Sequence, residues 1–233
     1  MTKQVLMSRE VLLTGAILFL LAIIASRFPA VITPANMANV FNDTAPLILL
    51  SIGQMIVILT RCVDLSVAAN LALTGMVVAM INVAAPGMPV PVIVLISIAF
   101  GALLGMFNGV LVWKLAIQPI VVTLGTMTIF RGTIFLLSDG KWINAHEFSD
   151  PFKAFPRAEA LGLPVMSWIA IAAVIVFSIA MARTTLGRAF YAVGGNPHAA
   201  TYAGSDVGKT QFWAFTSSGA LAGLTGYLWV SRF

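Results

Sequence analysis

Charge is scarce in this sequence. Of 233 residues, 13 are Lys or Arg, 8 are Asp or Glu and 2 are His, so charged side chains make up 9% of the chain. A soluble domain carries about a quarter. The one cysteine, Cys62, excludes an internal disulfide framework and a cysteine-based metal cluster, and reads as a small apolar residue near a helix end. His146-Glu147 lacks the second histidine of a helical zinc pair, and His198 is the only other histidine. None of the long apolar runs contains an Asp or Glu, which removes an intramembrane aspartyl protease and a carboxylate proton relay from consideration. No Ser–His or Ser–Lys pairing stands out, so neither a catalytic constellation nor a resident cofactor is expected. The net charge of +5 comes from basic residues scattered between apolar runs, not from a basic face, and nucleic acid is excluded as a partner.

What the chain does have is apolar length: 60% of its residues are hydrophobic. The excess needs lipid as its solvent. Runs of about 20 apolar residues are spanning-helix candidates. They are Val11–Ser26, Ala45–Thr60, Leu65–Ala84, Val90–Trp113, Ile117–Leu137, Val165–Ala182 and Phe212–Val230. Continuous runs exclude alternating barrel strands, and lipid cannot satisfy the edges of an open sheet. The expectation is an all-α, polytopic transmembrane helix bundle of about seven spans, forming one domain over residues 1–233 in a bilayer. The first run follows Lys3 and Arg9 and imitates a signal peptide; because more spans follow, it reads as an uncleaved first helix. With the N-terminus inside, the inner loops hold Lys3, Arg9, Arg61, Lys114, Arg183, Arg188 and Lys209 against Glu10, Asp64 and Asp206, whereas the outer loops balance five basic against five acidic residues. That orientation obeys the positive-inside rule.

Two loops are long. The outer one, 138–164, carries Trp142, Phe148, Phe152 and Phe155, which read either as an interfacial belt or as a docking surface for an external partner. The inner one, 183–211, has helix punctuation. Asn196 suits an N-cap, Pro197 the first helical position and Gly204 the residue past the end, while Gly194-Gly195 reads as the entering turn. A helix of about two turns is predicted there. It is too short to stand alone in water and has to pack on span ends or on a partner. Gly208-Lys209-Thr210 imitates a phosphate-binding loop, but Ala203 stands where that motif needs glycine, and an apolar span follows at once.

Inside the spans, Gly101, Gly105 and Gly109 recur every four residues on one helix face and allow close approach of a neighbour. Gln54, Asn70, Thr74, Asn108, Thr123 and Thr126 are amides and hydroxyls that are costly against lipid and are expected to face the bundle. Each one singly fits a helix-to-helix hydrogen bond. As a set they suit a path for a neutral, polyhydroxylated solute. Arg131 lies within a span, to snorkel or to pair with another subunit or a binding protein, and Asp64 is placed to cap the helix that follows it.

Four blocks together resemble a known family. They are Gly53-Gln54 with Asp64-Leu65-Ser66-Val67 and Ala72-Leu73-Thr74-Gly75; Gly105 through Gly109 with Pro119 through Thr126 and Arg131-Gly132; Thr185-Leu186-Gly187-Arg188 with Tyr191 through Asn196; and Ser218 through Gly223. The chain is similar to the membrane-spanning permease subunits of bacterial ATP-binding-cassette importers for monosaccharides, of the ribose type. The run Lys141–Glu147 resembles the rhamnose-type members. Two departures stand out: Arg61-Cys62-Val63 precedes Asp64 where relatives usually carry Gly and Ile, and relatives continue beyond Phe233, so the chain resembles about the first two thirds of a permease.

The resemblance implies a multi-pass protein of the bacterial inner membrane. Its partners would be cytoplasmic ATPase subunits, which bind the ATP, a periplasmic sugar-binding protein, and a second permease subunit. It assigns coupling to the ATPase to residues 183–211, with Arg188, Gly194, Gly195, Asn196, Pro197, Ala200 and Gly204 as the contact set. Related solutes remain open alongside a monosaccharide: one of the autoinducer-2 type, a nucleoside or a branched-chain amino acid. A truncated, non-transporting scaffold is the other alternative.

Overall fold

The computed structural model describes residues 9–232. The N-terminal Lys3 of the charge pattern and the terminal Phe233 fall outside them, as do the side chains of Arg9 and Glu10. The chain divides into two compact units, Met1–Asp43 and Thr44–Phe233.

The first unit holds α1 (Arg9–Arg27), a 3-10 turn (Pro29–Ile32) and the beginning of α2 (Pro34–Leu59). Apolar side chains of α1 such as Leu12, Ile17 and Phe19 are exposed, as lipid-solvated side chains would be. Helix α2 starts eleven residues before the predicted Ala45. Thr33 supplies the start: its Oγ1 accepts from Asn36 N at 3.4 Å, and Pro34 occupies the first turn. Pro46 lies in the interior of α2. Lipid-facing helices tolerate an interior proline where neighbours satisfy the freed backbone.

The second unit contains α3 (Val67–Ala84), α4 (Val90–Lys114), α5 (Pro119–Ser138), α6 (Asp150–Arg157), α7 (Val165–Arg183), α8 (Thr185–Gly195), α9 (Pro197–Tyr202) and α10 (Val207–Arg232). Between α6 and α7, β1 (Glu159–Ala160) and β2 (Leu163–Pro164) pair antiparallel. Leu161 and Gly162 turn that hairpin with φ of 52° and 78°. Among the described residues, five helices are long and apolar enough to cross a membrane: α2, α3, α4, α5 and α7. In α1 the apolar helical stretch is the shorter Val11–Arg27.

Helix α10 is the centre of the unit. Thr210, Ser218, Thr225, Tyr227 and Ser231 are all buried along it. Its neighbours α3 and α4 approach through glycine. A Cβ on Gly105 would overlap the carbonyl oxygen of Phe215, one on Gly223 that of Ser97, and one on Gly219 would stand 2.8 Å from Gly105 Cα. The four-residue glycine repeat of α4 therefore does what its spacing predicts: it brings two backbones into contact. The seventh predicted span is thus solvated by helices, not by lipid, which is why it tolerates so many hydroxyls.

At the end of the bundle opposite Arg61, the loop 139–149 and α6 close over the helices. Phe148 and Phe152 are buried, and Phe155 packs partly buried beside them. Phe152 meets Tyr227 edge-on at 5.1 Å. Neither the belt nor the docking reading holds for these three; they are core, because Asn82 draws the loop inward. Asn82 Nδ2 donates to Ser149 Oγ at 2.9 Å, and Ser149 N donates back to Asn82 Oδ1 at 3.0 Å. Of the four aromatics, Trp142 stays outside, 88% exposed.

Candidate functional site

The other end of the bundle gathers Arg61, Lys114, Arg183, Arg188 and Lys209, and here the predicted loop 183–211 folds into two short helices. Thr184 begins α8: its Oγ1 accepts from Gly187 N at 3.0 Å. Helix α8 then turns Gly187, Phe190 and Val193 inward and leaves Arg188 and Tyr191 exposed. Gly194 and Gly195 are its last two residues, not the predicted entering turn. They stay helical because the chain needs contact there: a Cβ on Gly194 would overlap the carbonyl oxygen of Leu59. The local signals pointed at a glycine turn, and a contact far along the sequence overrode them.

The second short helix follows its punctuation closely. Asn196 Oδ1 accepts from His198 N at 3.0 Å and from Ala199 N at 3.1 Å, with Pro197 next in the first turn. At the far end Gly204 has φ 84°; Gly204 N donates to Thr201 O at 3.0 Å and Ser205 N to Ala200 O at 2.9 Å. Those two bonds close a Schellman motif. Ala200 is buried, whereas His198 and Tyr202 are exposed, so α9 packs on one side and presents the other.

Asp206 starts α10 by accepting from Lys209 N at 2.8 Å. A carboxylate thus occupies the place that a phosphate would take in the imitated motif. Thr185, Leu186, Ser205, Asp206, Lys209 and Trp213 line a cleft of about 240 Å³ between α8 and α10.

Under this end lies a polar seam through the bundle. Gln54 Nε2 donates to Asp64 O at 2.6 Å. Asp64 Oδ1 accepts from Ser66 N at 2.9 Å and Ser66 Oγ at 2.6 Å. Asn108 Nδ2 donates to Ser66 Oγ at 2.8 Å, and Thr123 Oγ1 to Val63 O at 3.3 Å. Asp64 therefore orders Ser66 one residue ahead of α3 and does not cap a helical N–H, as the sequence had suggested. Further along, Asn70 Nδ2 donates to Gly101 O at 3.1 Å, and Asn70 Oδ1 accepts from Thr74 Oγ1 at 3.1 Å. Thr126 bonds back to Thr123 O at 3.4 Å.

Of the six predicted path residues, Gln54, Asn108 and Thr123 meet around the strap 60–66, and Asn70 and Thr74 join α3 to α4. All six hydrogen-bond within the protein, and five are buried, Gln54 being partly so. Asn108 Oδ1 is a buried acceptor with no hydrogen-bond donor among the described residues. Arg131 lies on the exposed face of α5.

Burial pushes the Asp64 carboxyl above its ordinary range, and the Ser66 hydroxyl and amide partly offset this. The sign follows. A carboxyl raised on folding costs stability once it ionises, so its contribution is lost as pH rises from the unfolded value through the folded one. Asp64→Asn keeps an acceptor for Ser66 and removes that loss. We expect its thermal midpoint relative to the parent to improve steadily from pH 4 to pH 7; a pH-independent difference would contradict this.

Residue Arg61 was noted in the sequence only as a departure and an inner charge. In the fold its Nε donates to Gly194 O and its Nη2 to Gly195 O, each at 2.8 Å. Its signal was available in principle: a lone positive charge just past the end of an apolar run.

The comparisons agree with this architecture. Residues 36–233 match the family described as branched-chain amino acid transport system / permease component. The chain is 37% identical over 232 residues to the autoinducer 2 import system permease protein LsrC of an Enterobacter species, covering 99% of this chain and 66% of that protein. It is 35% identical over 224 residues to the ribose import permease protein RbsC of Haemophilus influenzae, covering 93% and 67%. It is 34% identical over 219 residues to the D-allose transport system permease protein AlsC of Escherichia coli, covering 92% and 66%. The chain thus spans about two thirds of the length of these relatives. No solved structure gives a significant match. With five apolar helices able to span a bilayer and a family match over most of its length, this multi-pass membrane protein belongs to the branched-chain amino acid transport system / permease component family.

Proposed function

We propose that this chain is the membrane-spanning permease part of an ATP-binding-cassette importer in a bacterial inner membrane. It carries a small polyhydroxylated solute and has no ATPase site of its own. The observation that carries the reading is the α8–α9 pair, two capped short helices at the basic end that present Arg188, His198 and Tyr202 outward. That surface fits contact with a cytoplasmic ATPase. Arg188 lies on that surface, and Gly194, Gly195, Asn196, Pro197, Ala200 and Gly204 build it by packing and capping.

The solute class is supported by the buried amides and hydroxyls, which offer donors and acceptors without fixed charge. Asn108 Oδ1 is an acceptor free for a solute hydroxyl once the seam around Gln54, Asn70, Thr74, Thr123 and Thr126 opens. Relatives named for autoinducer 2 import, ribose import and D-allose transport support the same class. A binding protein outside and a second permease subunit complete the assembly on this reading, and alternating access is the mechanism.

The test is reconstitution. The full permease, with its ATPase subunits and binding protein in proteoliposomes, is expected to accumulate one of ribose, rhamnose or autoinducer 2. That solute is expected to stimulate ATP hydrolysis. Failure of the ATPase to co-purify, with no stimulation by any solute, would sink the transporter reading.

A further inference from the structure

One side chain joins α8 to the strap 60–66. Arg61 has φ 60°, the left-handed region where glycine is at home. From that backbone its planar fork reaches the carbonyl oxygens of Gly194 and Gly195, both at 2.8 Å. These carbonyls end α8, where unpaired acceptors and the negative pole of the helix dipole collect, so a cation belongs there. Gly194 also lies against the Leu59 carbonyl with no room for a Cβ. The C-terminus of α8 is therefore held from two sides by residues 59 and 61.

The strap is tied inward as well. Gln211 Nε2 donates to Thr60 O at 3.3 Å, Gln54 Nε2 to Asp64 O at 2.6 Å, and Asp64 reaches Asn108 through Ser66. On the other side, Asn196 is at once the last cap of α8 and the first cap of α9. A displacement of α9 must shift the two carbonyls that Arg61 grips.

We propose that Arg61 is the positioning residue that carries movement of the α8–α9 pair into the strap 60–66 and on to the polar seam at Asn108. This rests on the proposal that α8–α9 receives an ATPase. Arg61→Gly is the suitable probe, because glycine accepts the same backbone angle and only the fork is lost. Arg61→Lys keeps the charge, loses the bidentate grip, and serves as the probe if the glycine variant fails to assemble.

In the reconstituted transporter, solute imported per ATP hydrolysed is expected to fall roughly fivefold or more in Arg61→Gly, the lower end of a typical coupling between sites. Arg61→Lys falls between it and the parent, while ATPase co-purification is unchanged. An unchanged ratio in Arg61→Gly overturns the proposal.

A second measurement needs no transport. Hydrogen exchange of the amides of residues 60–66 is followed in the full permease for the parent, Asn196→Ala, Arg61→Gly and the double variant. Loosening α9 through Asn196→Ala is expected to speed exchange in the strap only when Arg61 is present. Equal responses in both backgrounds overturn the link. An intact cycle in a protein that imports nothing overturns the proposed function and leaves the clasp standing.

Discussion

Gly105→Ala is expected to melt well below the parent, whereas Gly125→Ala melts at or slightly above it. The two substitutions add the same methyl group to neighbouring helices. On α4, the new Cβ would meet the Phe215 carbonyl oxygen and lie 3.0 Å from Gly219 Cα, so backbone must move against backbone. A forced shift of that kind costs about 1–3 kcal/mol, and two rigid helices put it near the upper end. On α5, Gly125 has nothing within 4 Å of the added atom. There alanine gains up to about 1 kcal/mol of helix propensity. Thermal unfolding in detergent reads the difference, and matching melting points for the two variants would refute glycine-mediated contact between α4 and α10.

The second large effect is on coupling. Asn196→Ala with Pro197→Gly, and separately Arg188→Glu, are expected to leave ATP hydrolysis running while solute uptake drops. Helix α9 has six residues and cannot hold itself by propagation. Its form depends on the two N–H groups that Asn196 accepts, on the Schellman bonds after Thr201, and on burial of Ala200. Loss of such an N-cap costs about 1 kcal/mol, which lowers a formed-to-frayed ratio roughly fivefold. Uptake is expected to fall by about that factor. Arg188 is exposed and reaches back only to Arg183 O at 3.4 Å, so reversing its charge alters the presented surface and not the packing. Normal uptake in both variants would remove α8–α9 from the coupling role.

Legibility followed the range of the interactions. The start and stop of α9 were written in Asn196, Pro197 and Gly204, because capping is a contest among residues a few positions apart. The glycine face of α4 was written in a spacing of four. Helix α8 was missed because Gly194-Gly195 is a turn signal locally. What keeps it helical is Leu59, against which Gly194 packs, and Arg61, 133 residues away in sequence from the Gly194 carbonyl it holds. The aromatics of the outer loop were misplaced for the same reason: Asn82 and Tyr227, not their own neighbours, decide that Phe148 and Phe152 turn inward. The six path residues were correctly read as facing the bundle. Their grouping around Asp64 and Ser66 appears only once α2, α3, α4 and α5 are brought together.

By itself, the sequence determined the solvent of this protein, its all-helical class, its spans to within a few residues for most of them, and the caps of its shortest helix. Each of those follows from hydropathy or from hydrogen bonds within one turn. The tertiary structure decided which apolar helix is surrounded by protein. Hydropathy marks α10 as less apolar than α7, but it does not place α10 at the centre and α7 at the rim; the fit of Gly105, Gly219 and Gly223 does. It also decided that Arg61, an isolated charge in the sequence, closes on the end of α8, because that terminus leaves the Gly194 and Gly195 carbonyls to a donor brought from elsewhere in the chain.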